Sequence, residues 1–391
     1  MRQGRRILLL TILLASSFLT STRNSVAASS AQSFKFAAAG DHNQSVDTNS
    51  SLRLLASSGV NFYLALGDLS YSGIGQEAEW CDIVKSYLGP SFPFELVSGL
   101  HDDGLEAPAN QSGLIDSFAN CLPDRIGVTG IYGKEYYFDY PSSNPLARII
   151  MVSPALNFTD AGYYSYALGS PHYGWVSDRI DDARAARIPW VIVAMHKPCI
   201  SAGVYGCVAG IDLMNLLIQK RVDLVLQAHD HDYQRSKQLT CASTEKFVSS
   251  CVADDGSSGS YWKTEGTIFV IAGTFGQVLY RINMPALIPY FAKVAGANTP
   301  GMGHGFVEYT VTADEIQGQT DFSGIISDTF RIVRRDLQGI ILYVKDNIIF
   351  VSLLTAPFLV GITVISIYRW KRWPRPYKGK PVPNYNGQDA R

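Results

Sequence analysis

The chain has 391 residues, 47% hydrophobic and 17% charged, a composition apolar-heavy for a wholly soluble enzyme and far too polar for a multi-span membrane protein. Lys plus Arg (33) and Asp plus Glu (34) cancel to a formal net charge of -1, so no whole-molecule field points to a nucleic-acid partner. Aromatic content of 12%, with 34 Gly and 18 Pro, also excludes long disorder, collagen-like repeats and coiled coil, and leaves a large packed domain.

The first apolar concentration follows Arg2, Arg5 and Arg6, runs over 7–15, and passes through Ser-rich sequence to Ser25-Val26-Ala27, a small-x-small cleavage pattern. This reads as a secretory signal peptide over 1–27, because the apolar run is too short to cross a bilayer. From about Ala28 onward, short apolar or β-branched runs alternate with amphipathic stretches, which favours α/β layering over an all-β sandwich. Strands are expected over 34–39, 62–66, 94–98, 149–153, 190–195, 224–227 and 268–272, and helices over 49–58, 77–87, 171–186 and 211–220. The stretch 240–262, rich in Ser and Gly with two cysteines, reads as a disulfide-pinned loop, and 306–312 alternates by two as a strand with one wet face.

A second apolar concentration covers 348–368, 21 residues without a charge, the length of a membrane-spanning helix. Arg334, Arg335 and Lys345 precede it, whereas Arg369, Lys371, Arg372, Arg375, Lys378 and Lys380 follow, so the C-terminus is placed in the cytoplasm. The expected plan is therefore a signal peptide (1–27), one extracytoplasmic domain (28–333), a juxtamembrane stalk (334–347), a transmembrane helix (348–368) and a basic tail (369–391). All six cysteines lie between the two apolar segments, which fits an oxidising compartment. Short loops favour Cys199 with Cys207 and Cys241 with Cys251, which leaves Cys81 with Cys121. Sequons at Asn43, Asn49, Asn110 and Asn157 fit a secreted glycoprotein.

Each of five apolar strands ends in a polar group. The first delivers Asp41, the second Asp68 and then Tyr71, the third His101 and Asp102, and two later ones His196 and the pair His229 and His231. In an open α/β sheet the carboxyl ends of the strands line the ligand crevice, so these groups can converge across almost two hundred residues. Carboxylates, a phenol and imidazoles together form the ligand set of a hard or borderline metal.

These residues resemble the calcineurin-like metallophosphoesterases, most closely their purple acid phosphatase branch. The ordered blocks GD, GDxxY, GNH followed by an acid, VxxH and GHxH stand here as Gly40-Asp41, Gly67-Asp68-Leu69-Ser70-Tyr71, Gly99-Leu100-His101-Asp102, Val193-Ala194-Met195-His196 and Ala228-His229-Asp230-His231. The resemblance covers about Phe34 to Val333 and implies an α/β sandwich of two mixed β-sheets flanked by helices. It further implies that Asp41, Asp68, Tyr71 and His231 hold a first metal, Fe(III), and that Asp68 bridges to a second, Fe(II), Zn or Mn, held also by His196 and His229. His101, steered by Asp102, would protonate the leaving alcohol as phosphomonoesters are hydrolysed by in-line attack of a hydroxide held at the dinuclear site.

Two departures stand out. Leu100 replaces an asparagine ligand of the second metal, so Asp102, Asp103 or a water is left to fill that position, and Ala228 replaces a glycine. The segment Lys197-Pro-Cys-Ile-Ser-Ala-Gly203 lacks the histidines that bind phosphate in some members. His42 reads as a surface-loop residue, His172 and His304 as structural or turn residues, and Asp230 as pointing away from the metals. The alternatives to a membrane-anchored phosphatase acting on phosphorylated small molecules are a nucleotidase or phosphodiesterase of the same fold, and a surface binding module that has lost turnover.

Overall fold

The computed structural model describes residues 32–335 apart from 106 and 109. The expected signal peptide, spanning helix, tail and most of the stalk lie outside the described residues. Among those described, no helix is long and apolar enough to cross a membrane.

Fifteen strands of the described residues form two mixed sheets. They are β1 (Ser33–Ala39), β2 (Phe62–Leu66), β3 (Phe94–Val97), β4 (Thr129–Ile131), β5 (Glu135–Tyr140), β6 (Ala147–Val152), β7 (Trp190–Met195), β8 (Leu224–Gln227), β9 (Tyr233–Ser236), β10 (Ser260–Trp262), β11 (Ile268–Ala272), β12 (Phe291–Ala295), β13 (Gly305–Thr312), β14 (Glu315–Phe322) and β15 (Thr329–Val333). One sheet has 7 strands in the order β10-β15-β14-β13-β1-β2-β3, the other 8 in the order β12-β9-β11-β8-β7-β6-β5-β4. The strands that lead to the polar groups, β1 to β3 in one sheet and β7 and β8 in the other, run parallel to their neighbours within each group. Strands β2, β3, β7 and β8 are buried along their whole length. Burial on both faces explains why β2 and β7 are continuous apolar runs and why β3 and β8 admit only one polar residue each, Glu95 and Gln227, whereas β13 and β14 alternate.

The sheets pack face to face through aromatic side chains. Phe62 meets Phe138 at 5.6 Å and Tyr140 at 4.8 Å between ring centroids, and Tyr233 meets Phe322 at 5.5 Å. The ion pair of Arg235 and Asp328 is buried there as well: Arg235 donates from Nε and Nη2 to Asp328 at 2.6 and 3.0 Å. Such a pair holds register mainly because removing either partner strands the other charge.

Among the described residues five α-helices connect these strands: α1 (Val46–Ser58), α2 (Glu77–Leu88), α3 (Ile115–Cys121), α4 (Pro171–Ala185) and α5 (Ile211–Gln219). Helix α1 starts three residues before the expected position because Ser45 caps it and forms a reciprocal box with Thr48. It stops at Gly59, whose φ of 70° takes the left-handed conformation that a side chain would resist. The disulfides are Cys81–Cys121, Cys199–Cys207 and Cys241–Cys251, as the loop lengths suggest. The 240–262 segment is pinned by Cys241–Cys251 as expected, but it also carries short strands, since β10 pairs parallel with β15 and Val252–Asp254 with Gln238–Leu239. The crevice also differs from that of an open sheet, because its polar groups come from the carboxyl ends of two different sheets.

Candidate metal centre

The oxygen donors sit on unusual backbone. Asp41, Asp68 and Tyr71 have φ values of 62°, 51° and 55°, a region that non-glycine residues adopt only under local constraint. The chain turns sharply there because neighbouring strands approach closely. A Cβ on Gly67 would lie 2.6 Å from the Gly99 nitrogen, and one on Gly40 would lie 2.5 Å from the Ala228 Cβ. The alanine that replaces the glycine of the resembled block is therefore accommodated by the bare Gly40 opposite it.

Asp41 Oδ2 accepts the amide of His229 at 2.8 Å, which ties the end of β1 to the loop after β8. The Tyr71 hydroxyl lies 2.9 Å from Asp41 Oδ1, 3.1 Å from Asp68 Oδ2 and 3.1 Å from His231 Nε2. Asp68 Oδ1 accepts the His101 amide at 2.9 Å, while its Oδ2 lies 3.2 Å from His196 Nε2.

The imidazoles are oriented from behind. His196 Nδ1 donates to the Leu66 carbonyl at 2.8 Å and His231 Nδ1 to the Val278 carbonyl at 2.9 Å, so each ring turns Nε2 toward the cluster. His196 Nε2 faces His229 Nδ1 at 3.1 Å. Asp68, His196 and His229 offer ligand atoms all within 4.8 Å of one another.

Electrostatics make the same point. Burial raises the carboxyls of Asp41 and Asp68, but the facing imidazoles, His231 and His196 respectively, outweigh it and hold both below the ordinary carboxylate range. Burial lowers His196, yet the Asp68 carboxylate prevails and pushes it up to about 9. Burial, with His196 opposite, drives His229 down to about 3. Burial and then the two carboxylates push the Tyr71 phenol well above its usual value. Inward-turned nitrogens and carboxylates this close, shielded from water, fit metal cations as the missing partners. The set has an oxygen-rich side of Asp41, Asp68 and Tyr71, with His231 Nε2 beside the phenol, and an imidazole side of His196 and His229.

His101 stands beside this cluster, its ring 4.1 Å from that of Tyr71 between centroids. Its Nδ1 donates to the Gln111 carbonyl at 2.7 Å, a partner with no signature in the sequence. Asp102 does not steer it, which corrects the sequence expectation. Asp102 Oδ2 accepts the amides of Asp68 and Gly99 at 2.7 and 2.8 Å, and Oδ1 accepts that of Leu69 at 2.9 Å. A fully buried carboxylate committed to three amides is a brace for the Gly67-Asp68 turn. The same bonds remove Asp102 from the candidates for the position that Leu100 leaves open. Asp103 Oδ1 accepts the Leu105 amide at 2.8 Å, and Leu100 itself packs on the apolar core.

Three other expectations are decided here. His42 is a core residue, contrary to the surface-loop reading: it is fully buried, pairs with the Tyr63 hydroxyl at 3.0 Å, and has the Phe275 ring 4.5 Å away. Burial pushes it down to about 4. His172 is structural, held by Glu135 at 3.0 Å, and His304 Nε2 donates to the Gln277 carbonyl at 3.0 Å. Asp230 points away from the ligand cluster, accepting from the Ser201 hydroxyl and from the amides of Val204 and Tyr205 at 2.8 and 3.2 Å. It thereby shapes the loop closed by Cys199–Cys207. That loop carries Tyr205, whose ring stacks on His229 at 3.9 Å, while Tyr280 stacks on His231 at 3.9 Å. No motif announces either tyrosine, because both reach the site only through loop closure.

Comparison with known proteins agrees with this geometry. The calcineurin-like phosphoesterase family matches residues 34–233. A purple acid phosphatase of Glycine max is 27% identical over 117 residues, covering 28% of this chain and 25% of that protein. The Fe(3+)-Zn(2+) purple acid phosphatase 12 of Arabidopsis thaliana is 28% identical over 103 residues, covering 25% of this chain and 22% of that one. These matches span about a quarter of the relatives' length. The solved purple acid phosphatase PPD1 of yellow lupin (Lupinus luteus) shares the fold, with a TM-score of 0.59 at 15% identity over 80% of this chain and 55% of that one. With its two mixed sheets, its five strand-terminal blocks and a family match over half its length, the chain belongs to the calcineurin-like phosphoesterases.

Proposed function

We propose that the protein is a metal-dependent phosphatase that hydrolyses phosphomonoesters at this cluster. One observation carries the reading: six donor side chains from two sheets converge, and the His196 and His231 rings are turned by backbone carbonyls so that Nε2 faces inward. Asp41, Asp68, Tyr71 and His231 would hold a first metal, and Asp68, His196 and His229 a second, with iron(III) suited to the phenolate side and iron(II), zinc or manganese to the imidazole side. When bound, such ions supply charge stabilisation to a phosphoryl group and the acidity that makes a nucleophile of water.

The chain's own groups do the rest. Asp41 ties the oxygen side to the imidazole side through the His229 amide, and Asp68 holds His101 beside the cluster through its amide. His101, with Nδ1 occupied by Gln111, keeps Nε2 for proton transfer. One P–O bond forms from water and the P–O bond to the alcohol breaks; the alcohol oxygen takes its proton from His101, and the proton that water gives up passes to solvent, from which His101 is reprotonated, leaving the alcohol and hydrogen phosphate. The apolar segment 348–368 and its flanking cations support a single-pass anchor with the domain outside the membrane.

The test is metal analysis beside an assay of the full chain loaded with iron, zinc or manganese. Turnover of a chromogenic phosphomonoester with about two metals per chain is expected. Less than about one metal per chain, with no turnover under any loading, would sink this reading in favour of a binding module.

A further inference from the structure

A short hairpin follows β6. Its two-residue strands, Asn157–Phe158 and Gly162–Tyr163, pair antiparallel with Asn157 opposite Tyr163. Alternation by two turns Phe158 inward and leaves Asn157 and Thr159 exposed. The Phe158 ring lies 4.9 Å from that of Tyr164 between centroids, and the buried Lys134 holds Asp160 of the turn at 2.7 Å. The hairpin is therefore fixed from beneath while its outer face stays open.

Asn157-Phe158-Thr159 is one of the four Asn-x-Ser/Thr sequons, and the fold separates it from the other three. Attachment of a glycan needs an asparagine that projects into water and, two residues on, a hydroxyl within reach of the transferase. Asn43 is half-buried, with Oδ1 accepting the Gln44 amide at 2.6 Å and Nδ2 donating to Gln277 Oε1 at 3.3 Å, and its Ser45 Oγ accepts the Thr48 amide as the cap of α1. Asn49 lies within α1, and the hydroxyl of its Ser51 is buried against the Phe275 carbonyl at 2.6 Å. Asn110 is exposed, but its Ser112 is fully buried. Asn157 joins an exposed side-chain amide, which makes no hydrogen bond among the described residues, to an exposed threonine.

Tyr163 is a second, independent sign. Residues directly opposite in an antiparallel pair project from the same face with Cβ atoms about 4.5–5.5 Å apart, so this ring, 59% exposed, stands beside whatever Asn157 carries. An aromatic face left in water gains contact when the apolar face of a sugar ring covers it.

We infer that Asn157 is an N-glycosylation site whose first sugar packs on Tyr163. The inference rests on the extracytoplasmic placement of the domain proposed above and is independent of its catalytic activity. The donor is a polyprenyl-diphosphate-linked oligosaccharide. A bond forms between Asn157 Nδ2 and the anomeric carbon, the bond from that carbon to the diphosphate oxygen breaks, Nδ2 gives up one proton, and the lipid diphosphate leaves with the bonding pair.

The experiment is peptide mass spectrometry of the full chain purified from its native host, with the six cysteines alkylated before and after reduction to read the disulfides. A glycan is expected on the peptide holding Asn157, with Asn43, Asn49 and Asn110 unmodified. Thr159→Ala should remove it and Thr159→Ser keep it. In thermal unfolding the glycosylated chain should melt roughly 1–3 °C above Asn157→Gln, and a Tyr163→Ala background should erase that difference. Disulfide-bonded cysteines with Asn157 unmodified overturn the inference and leave the extracytoplasmic reading standing, whereas reduced cysteines overturn both. A glycan that survives Thr159→Ala, or a melting difference unchanged in the Tyr163→Ala background, overturns the inference as well.

Discussion

The 7-stranded sheet supplies oxygen donors, with Asp41, Asp68 and Tyr71 all at positive φ, whereas the 8-stranded sheet supplies imidazoles, of which only His229 shares that backbone at 71° while His196 and His231 are aimed by groups behind and beside them. The first region is positioned by the left-handed turns of the chain and by the Asp102 brace on the Gly67-Asp68 turn. The second depends on partners: the Leu66 and Val278 carbonyls and the Tyr205 and Tyr280 rings. Each is also fastened to the other, since the 7-stranded sheet's Leu66 orients His196 and its Asp41 takes the amide of His229. A donor cluster divided between two sheets stays assembled because each half supplies the bonds that orient the other.

The comparison can be broken most severely at the imidazole side. His196→Ala should lower kcat/KM on the order of a thousandfold and reduce bound metal, because it removes both a donor and the Asp68 partner. Retained metal and turnover would show that the imidazole side is not ligating.

His101→Ala sharpens the contrast between holding metal and moving a proton. A fall of roughly 10²- to 10⁴-fold in kcat with metal content unchanged is expected. Loss of metal in this variant would place His101 among the ligands.

Asp102→Ala tests the strained side. Leaving the amides of Asp68, Leu69 and Gly99 without their acceptor should cost about 1–3 kcal/mol or more, read as a lower unfolding midpoint. An unchanged midpoint with lost activity would return Asp102 to a role in proton transfer.

The smallest effect is expected at Glu95 on β3, behind the site. It is fully buried, accepting the Arg125 amide at 3.1 Å through Oε1 and leaving Oε2 without a hydrogen bond. Burial, with Asp124 nearby, pushes its carboxyl up to about 8 from 4.5. A folded value above the unfolded one means that the protonated form stabilises below about 4.5, and that this contribution is lost as pH rises through about 8. Glu95→Gln should therefore narrow the drop in melting temperature between pH 5 and pH 9 by roughly 2–4 °C. Identical pH profiles for the two proteins would mean that Glu95 ionises without penalty.

Much of this was legible in the sequence because burial on both faces leaves a continuous apolar run. Strands 62–66, 190–195, 224–227 and 268–272 coincide with the observed elements. Strand β5 was not anticipated, since EYYFDY mixes charge with aromatics and has no clean period, and β14 carries Glu, Gln and Asp on its half-wet face and a glycine on its buried one. The short β12 was hidden by its Lys and by its edge position.

What the sequence alone determined is the order in which strands deliver Asp41, Asp68, Tyr71, His101, His196, His229 and His231, together with the disulfide pairing that short loops impose. The destination of each side chain was decided only by the tertiary structure. His42, next to a candidate ligand, turns into an aromatic core, Asp102 spends its oxygens on amides, and Tyr205 and Tyr280 arrive from unrelated loops to cover two imidazoles. The physical reason is that a side chain's direction depends on the sign of φ and on which distant backbone groups remain unpaired. Both are settled only when strands far apart in the chain pack together.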